Sequence, residues 1–139
     1  MSLGYMGVCK LVEQDEEIVI YAYSGMDIDD NHELRRVHFL DYDGEIWIYK
    51  HCLEEPEIHI KIKRRPSGRK YEEIKRITHV PSVLKHIKNN DVVIEKECAN
   101  AFRRSGNIDV DYIAYRLIDK IFTYYQEHGC LPEKEGFAQ

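Results

Sequence analysis

Two short runs bring together side chains that bind soft metals: His51-Cys52 and His128-Gly129-Cys130. Two imidazoles and two thiolates would suit a tetrahedral zinc site if the runs met in space. Neither run offers the CxxC spacing that anchors such sites, and Cys9 and Cys98 stand far from both. The simpler expectation is packing cysteines, with His128 complementing a helix C-terminus, and neither a metal nor a cofactor is expected. A second cluster, MDIDDNHE, crowds Asp27, Asp29, Asp30 and Glu33 into one loop. Hard cations want such oxygen donors, but His32 and His38 stand where a calcium loop needs Gly and Glu. A solvated acidic loop is expected there, available to a basic protein partner.

No Gly-rich phosphate loop, HExxH, GxSxG or CxxC occurs, and none of the seven histidines is singled out as partner to a cysteine nucleophile. A non-enzymatic protein is therefore expected. The strongest compositional signal is EIHIKIKRRPSGRKYEEIKR. Lys61 to Arg76 holds eight basic residues against Glu72 and Glu73, a net +6, and the rest of the chain carries −11. A basic segment rides on an acidic host.

These residues need elements to hold them. Residues 16–24, EEIVIYAYS, read as a strand; a less regular one is expected near residues 5–13. Residues 32–50 supply two apolar runs around Tyr42-Asp43-Gly44, a hairpin signal. Residues 57–64 alternate Ile58, Ile60 and Ile62 with His59, Lys61 and Lys63. Pro66-Ser67-Gly68 then turns the chain and residues 69–77 return. Three helices are expected beyond Pro81. The first carries Val83, Leu84 and Ile87, and the second, capped by Asp91, carries Ile94, Cys98, Ala101 and Phe102. The third runs from an Asp109 cap through Val110, Ile113, Leu117, Ile121 and Tyr124 to His128 and Gly129. This is an α+β pattern: an antiparallel sheet of five or six strands in the N-terminal half, with three helices packed on one face, in a single domain spanning residues 1–139. No apolar run approaches bilayer length and the N-terminus lacks a signal-peptide pattern, so a cytoplasmic location is expected.

Strand parity separates aliphatic from aromatic residues. Ile18, Ile20 and Ala22 oppose Val19, Tyr21 and Tyr23, and Ile46 and Ile48 oppose Trp47 and Tyr49. With the aliphatics set beneath the helices together with Ile58, Ile60 and Ile62, the far face gathers Tyr21, Tyr23, Trp47, Tyr49, Lys61 and Lys63. Arg64, Arg65, Arg69 and Lys70 lie at one end. That face is the expected binding surface for a protein partner; in an inhibitor- or immunity-type role the acidic loop of Asp27 to Glu33 would make the contact instead. A single-stranded nucleic acid stacked on its rings is the alternative ligand. A homodimer burying the same face is a further expectation to weigh.

Overall fold

The structure is a computed structural model describing residues 4–27, 41–103 and 109–138. Seven strands and two helices are formed among these residues: β1 (Tyr5–Gln14), β2 (Ile18–Asp27), β3 (Gly44–Tyr49), β4 (Glu57–Arg64), β5 (Lys70–Ile77), α1 (Val83–Lys88), β6 (Val92–Lys96), α2 (Tyr112–His128) and β7 (Lys134–Ala138). Five strands make one antiparallel sheet in the order β6-β3-β2-β1-β7, and β4 and β5 form a separate two-stranded sheet. The molecule is α+β, as the pattern predicts. No helix is long and apolar enough to cross a membrane among the described residues.

The helix count differs from expectation. The segment assigned to a middle helix is instead β6, which pairs with β3 at the sheet edge: Val92 with Ile48, Ile94 with Ile46. Its Val-Val-Ile run favours a pleated, half-buried surface. Asn90 takes φ 62, which turns the chain out of α1 and into this strand. Asp91 therefore caps nothing helical. The long helix begins at Tyr112 with Asp111 rather than Asp109 as its N-cap, the Asp111 carboxylate accepting from the Ile113 N–H at 3.1 Å. Gly129, at φ 74, closes it as predicted. The chain then returns as β7 along β1, an element the sequence pattern did not suggest. The first run of the expected 32–50 hairpin lies outside the described residues up to position 40.

The buried face of α2 carries Ile113, Leu117, Ile118, Ile121 and Phe122, packed on Cys9, Val19, Tyr21, Tyr23, Ile46 and Ile48 of the sheet. Parity holds within each strand, but the register between them reverses the expected faces. Tyr21 pairs with Ile46 and Val19 with Ile48, so β2 turns its tyrosines inward and leaves Ile18 and Ile20 beside Tyr49 and Trp47 on the opposite face. The parity of one strand carries no information about which face of its neighbour it will meet. Two local features favour this outcome. Each buried tyrosine hydroxyl finds an acceptor at 2.6 Å, Pro132 carbonyl for Tyr21 and Asp111 Oδ2 for Tyr23. Gly44 makes room for the Tyr23 ring, which would stand 2.3 Å from a Cβ at that position.

Candidate interaction surface

The hairpin β4–β5 is built as its sequence implies. Eight residue pairs join it, from Glu57 opposite Ile77 to Arg64 opposite Lys70. The Arg65 N–H bonds the Arg69 carbonyl, and the Gly68 N–H, with Gly68 at φ 86, bonds the Arg65 carbonyl. Lys63 Nζ lies 2.5 Å from Glu73 Oε2, diagonal to its opposite residue, and this contact raises the Lys63 pKa. At the tip the Arg65 guanidinium lies 5.2 Å from the Tyr71 ring centroid.

Its foot is tied to the end of α2. Arg76 Nη1 donates to the Glu127 carbonyl at 2.6 Å, a favourable place for a cation against the helix dipole. The fully buried Gln126 side chain accepts from the His79 N–H and donates to the His79 carbonyl, at 2.8 and 3.0 Å. Tyr125 adds a hydroxyl bond to Glu55.

Beyond that foot the hairpin's apolar side is bare. Every residue of β4 and β5 is exposed. The isoleucines expected in the core sit outside it: Ile58, Ile60, Ile62 and Ile74 retain 53, 59, 70 and 64% of their surface. Ile60 and Ile74 are directly paired, so the four make one apolar face with Glu72 and Arg76 among them. The reverse face carries His59, Lys61, Lys63, Glu73 and Lys75 around a shallow depression of about 210 Å³. A second, of about 680 Å³, opens at the tip between Arg65, Ser67, Arg69, Lys70 and Tyr71.

The expected composite face is thus divided. Tyr21 and Tyr23 are fully buried, and burial raises both hydroxyl pKa values. Trp47 and Tyr49 are half-buried on the far face of the main sheet, and Lys61, Lys63, Arg64, Arg65, Arg69 and Lys70 belong to the hairpin's separate sheet. Of the acidic-loop residues, Asp27 ends β2, and Asp29, Asp30 and Glu33 lie outside the described residues.

The metal-type side chains do not assemble as a set. His51 bonds Asp91 at 3.0 Å, the His128 ring lies tilted against Tyr124 with centroids 4.2 Å apart, Cys52 is buried and Cys130 is exposed. No group of three or more His, Cys, Asp or Glu is arranged to hold a metal among the described residues. A different cluster, invisible in the sequence because its members are spread over 41 positions, links imidazoles to carboxylates. Asp91 is bridged by His51 and by His86 Nδ1 at 3.3 Å, and Glu54 lies 3.5 Å from His79 and 3.9 Å from His86. The hydrogen bonds from His86 and His51 hold Asp91 below the usual carboxylate range. His86 Nε2 is buried without a hydrogen-bond partner. The cluster pins the turn after α1 to the Lys50–Cys52 turn that follows β3. The signal missed for the hairpin was that a two-stranded ribbon closed on itself by Pro66-Ser67-Gly68 pairs its own edges and need not join the main sheet. Comparison with protein-family models, curated proteins and solved structures found no match.

Proposed function

We propose that this chain acts by binding rather than catalysis, and that it engages a protein partner through the β4–β5 hairpin. The observation that carries the proposal is the isoleucine face, four large aliphatic side chains held outside the core on a preformed ribbon. Apolar surface concentrated in this way, rimmed by charge, is what a partner's own apolar surface covers. Because the strands and turn are already ordered, docking costs less than folding a free segment would. The contact surface is then Ile58, Ile60, Ile62 and Ile74 with Arg64 and Lys70 on the same face. The half-buried Tyr49 and the core residues Tyr21 and Tyr23 have no part in it.

The test is affinity capture from the native cell with wild type and an Ile60→Asp/Ile62→Asp variant. A stoichiometric protein, which includes another copy of the chain, is expected on wild type and lost on the variant, with unfolding midpoints unchanged. Equal capture by both would overturn the proposal. A nucleic-acid reading is supported by one feature, the tip where Arg65, Arg69, Lys70 and Tyr71 surround a depression. It predicts single-strand binding that falls with salt by about 0.7 log units per phosphate contact per log unit of salt. It also predicts loss of that binding in Arg65→Glu/Arg69→Glu, while Ile60→Asp/Ile62→Asp retains it.

A further inference from the structure

The main sheet has its own uncovered apolar ground. On the face opposite α2, Ile18, Ile20 and Trp47 floor a groove of about 420 Å³ whose rim carries Glu13, Asp15 and Glu45. Ile20 and Trp47 are directly paired across β2 and β3, so the floor is continuous, and Trp47 Nε1 donates to Glu45. Glu16 and Glu17 follow in the adjoining turn, where Asp15 accepts from the Glu17 and Ile18 N–H groups. The groove is therefore apolar below and acidic around. The hairpin's isoleucine face is apolar at its centre and carries Arg64, Lys70 and Arg76 against the single carboxylate of Glu72, so it is basic around. The two surfaces match in both respects.

The hairpin cannot be the occupant of its own groove in this structure. Its foot is bound to the C-terminal end of α2, on the other side of the sheet, and both strands are exposed throughout. We infer that a second copy of this chain seats its hairpin in the groove, isoleucines on Ile18, Ile20 and Trp47, with Arg64 and Lys70, which share the isoleucine face, reaching the carboxylates of Glu13, Asp15 and Glu45. The inference rests on the hairpin being a docking surface and names its partner. Two-fold symmetry makes the exchange reciprocal, so one dimer contains two such contacts and divides between them the roughly 1,600 Å² that a stable interface buries. Packing hairpin on hairpin would instead bring two +6 segments together, which Coulomb repulsion disfavours.

Sedimentation velocity across a concentration series, on the full chain, tests this. Wild type is expected at twice the chain mass and to shift toward the monomer as salt rises. A hairpin variant, Ile60→Asp/Ile62→Asp, and a groove variant, Ile20→Lys, each lose both contacts and sediment as monomers. Mixed together they rebuild one contact, from the groove of the first and the hairpin of the second, and a weaker heterodimer returns. Far-UV circular dichroism and unfolding midpoints verify that each variant is folded; Trp47→Gln is the second groove variant should Ile20→Lys fail that check. A wild type that stays monomeric overturns the inference and leaves the hairpin reading to stand or fall on the capture experiment. A dimer that survives the hairpin variant overturns the inference, and the hairpin reading falls with it only if capture is also equal for wild type and variant. Monomeric variants that do not recombine place the contact elsewhere than the groove and overturn the inference alone.

Discussion

Removing the Tyr23 hydroxyl and the Asp111 carboxylate, singly and together, measures how the core positions α2. Tyr23 donates to Asp111 Oδ2 at 2.6 Å and accepts from the Cys98 N–H at 3.1 Å. Asp111 also accepts from the Ile113 and Phe102 N–H groups, at 3.1 and 3.2 Å through Oδ1. Tyr23→Phe deletes one hydrogen bond to a charged group and leaves the Cys98 donor unpaired, a loss of about 1.5–3 kcal/mol. Asp111→Ala removes a helix cap, about 1 kcal/mol, and orphans a buried hydroxyl and a backbone donor at about 1–3 kcal/mol each, for a total of roughly 3–7 kcal/mol. The double variant has no orphaned hydroxyl and no orphaned carboxylate oxygen, so its loss should fall short of the sum by about 1.5–3 kcal/mol. Urea unfolding followed by Trp47 fluorescence, the chain's one tryptophan, and by circular dichroism gives the four free energies of the cycle. Additivity to within about 0.5 kcal/mol would refute the direct coupling.

Burial pushes the Cys9, Cys52 and Cys98 thiols up to about 12, leaving Cys130 as the exposed thiol. Native protein should therefore titrate one thiol with a disulfide reagent, denatured protein four, and Cys130→Ser none until unfolded. Gly25→Ala would place a Cβ 2.2 Å from Ile113 Cδ1, so a loss of about 1–3 kcal/mol is expected, partly restored by Ile113→Val, which removes that methyl; unfolding midpoints of the single and double variants check this. Two aspartates should give pH dependences of opposite sign. Asp91 is held low by His86 and His51, so its contribution is present above the ordinary carboxylate pKa and is lost as pH falls through the lower folded value; Asp91→Asn should flatten the acid limb of stability against pH. Asp111 is raised chiefly by desolvation, so its contribution is full below the ordinary value and is lost as pH rises through the raised one; Asp111→Asn should remove that decline, measured by denaturant titration at stepped pH.

Much of the local structure was legible because it depends on neighbours in sequence. The β4–β5 hairpin follows from alternation and a Pro-Ser-Gly turn, and the end of α2 follows from Gly129 after an apolar stripe. What escaped depends on distant residues. The face of β2 that turns inward is decided by where the tyrosine hydroxyls find Pro132 and Asp111, 111 and 88 positions away. β6 was hidden because Ile94, Cys98, Ala101 and Phe102 fit a helical spacing, while Val92 and Ile94 alternate as a strand too short to stand out, and pairing with β3 across some 45 residues settles the matter. The basic residues were recognised as held in place, but the surface they flank is Ile58, Ile60, Ile62 and Ile74, side chains that parity alone assigns to a core. Alternation shows that one face of a strand is apolar; whether that face is covered depends on what the other elements leave open.

An uncovered ribbon of isoleucines is a hazard as well as an opportunity, and the hairpin's charges bear on both. A two-stranded sheet alone is marginal in water, so its order depends on cross-strand contacts such as Ile60 with Ile74 and Lys63 with Glu73, and on the Arg76 and His79 ties at its foot. That order leaves the outer edge of each strand unpaired among the described residues, the usual template for aggregation. Lysines and arginines crowd both strands, and the net +6 makes hairpin-to-hairpin approach repulsive at the same time as it attracts an acidic surface. The same side chains therefore discourage indiscriminate stacking and favour an occupant with carboxylates around an apolar floor. Replacing Arg64 and Lys70, the cations on the isoleucine face, with glutamate should reverse that selection: the acidic groove then repels the ribbon, and self-association in light scattering should no longer weaken with added salt.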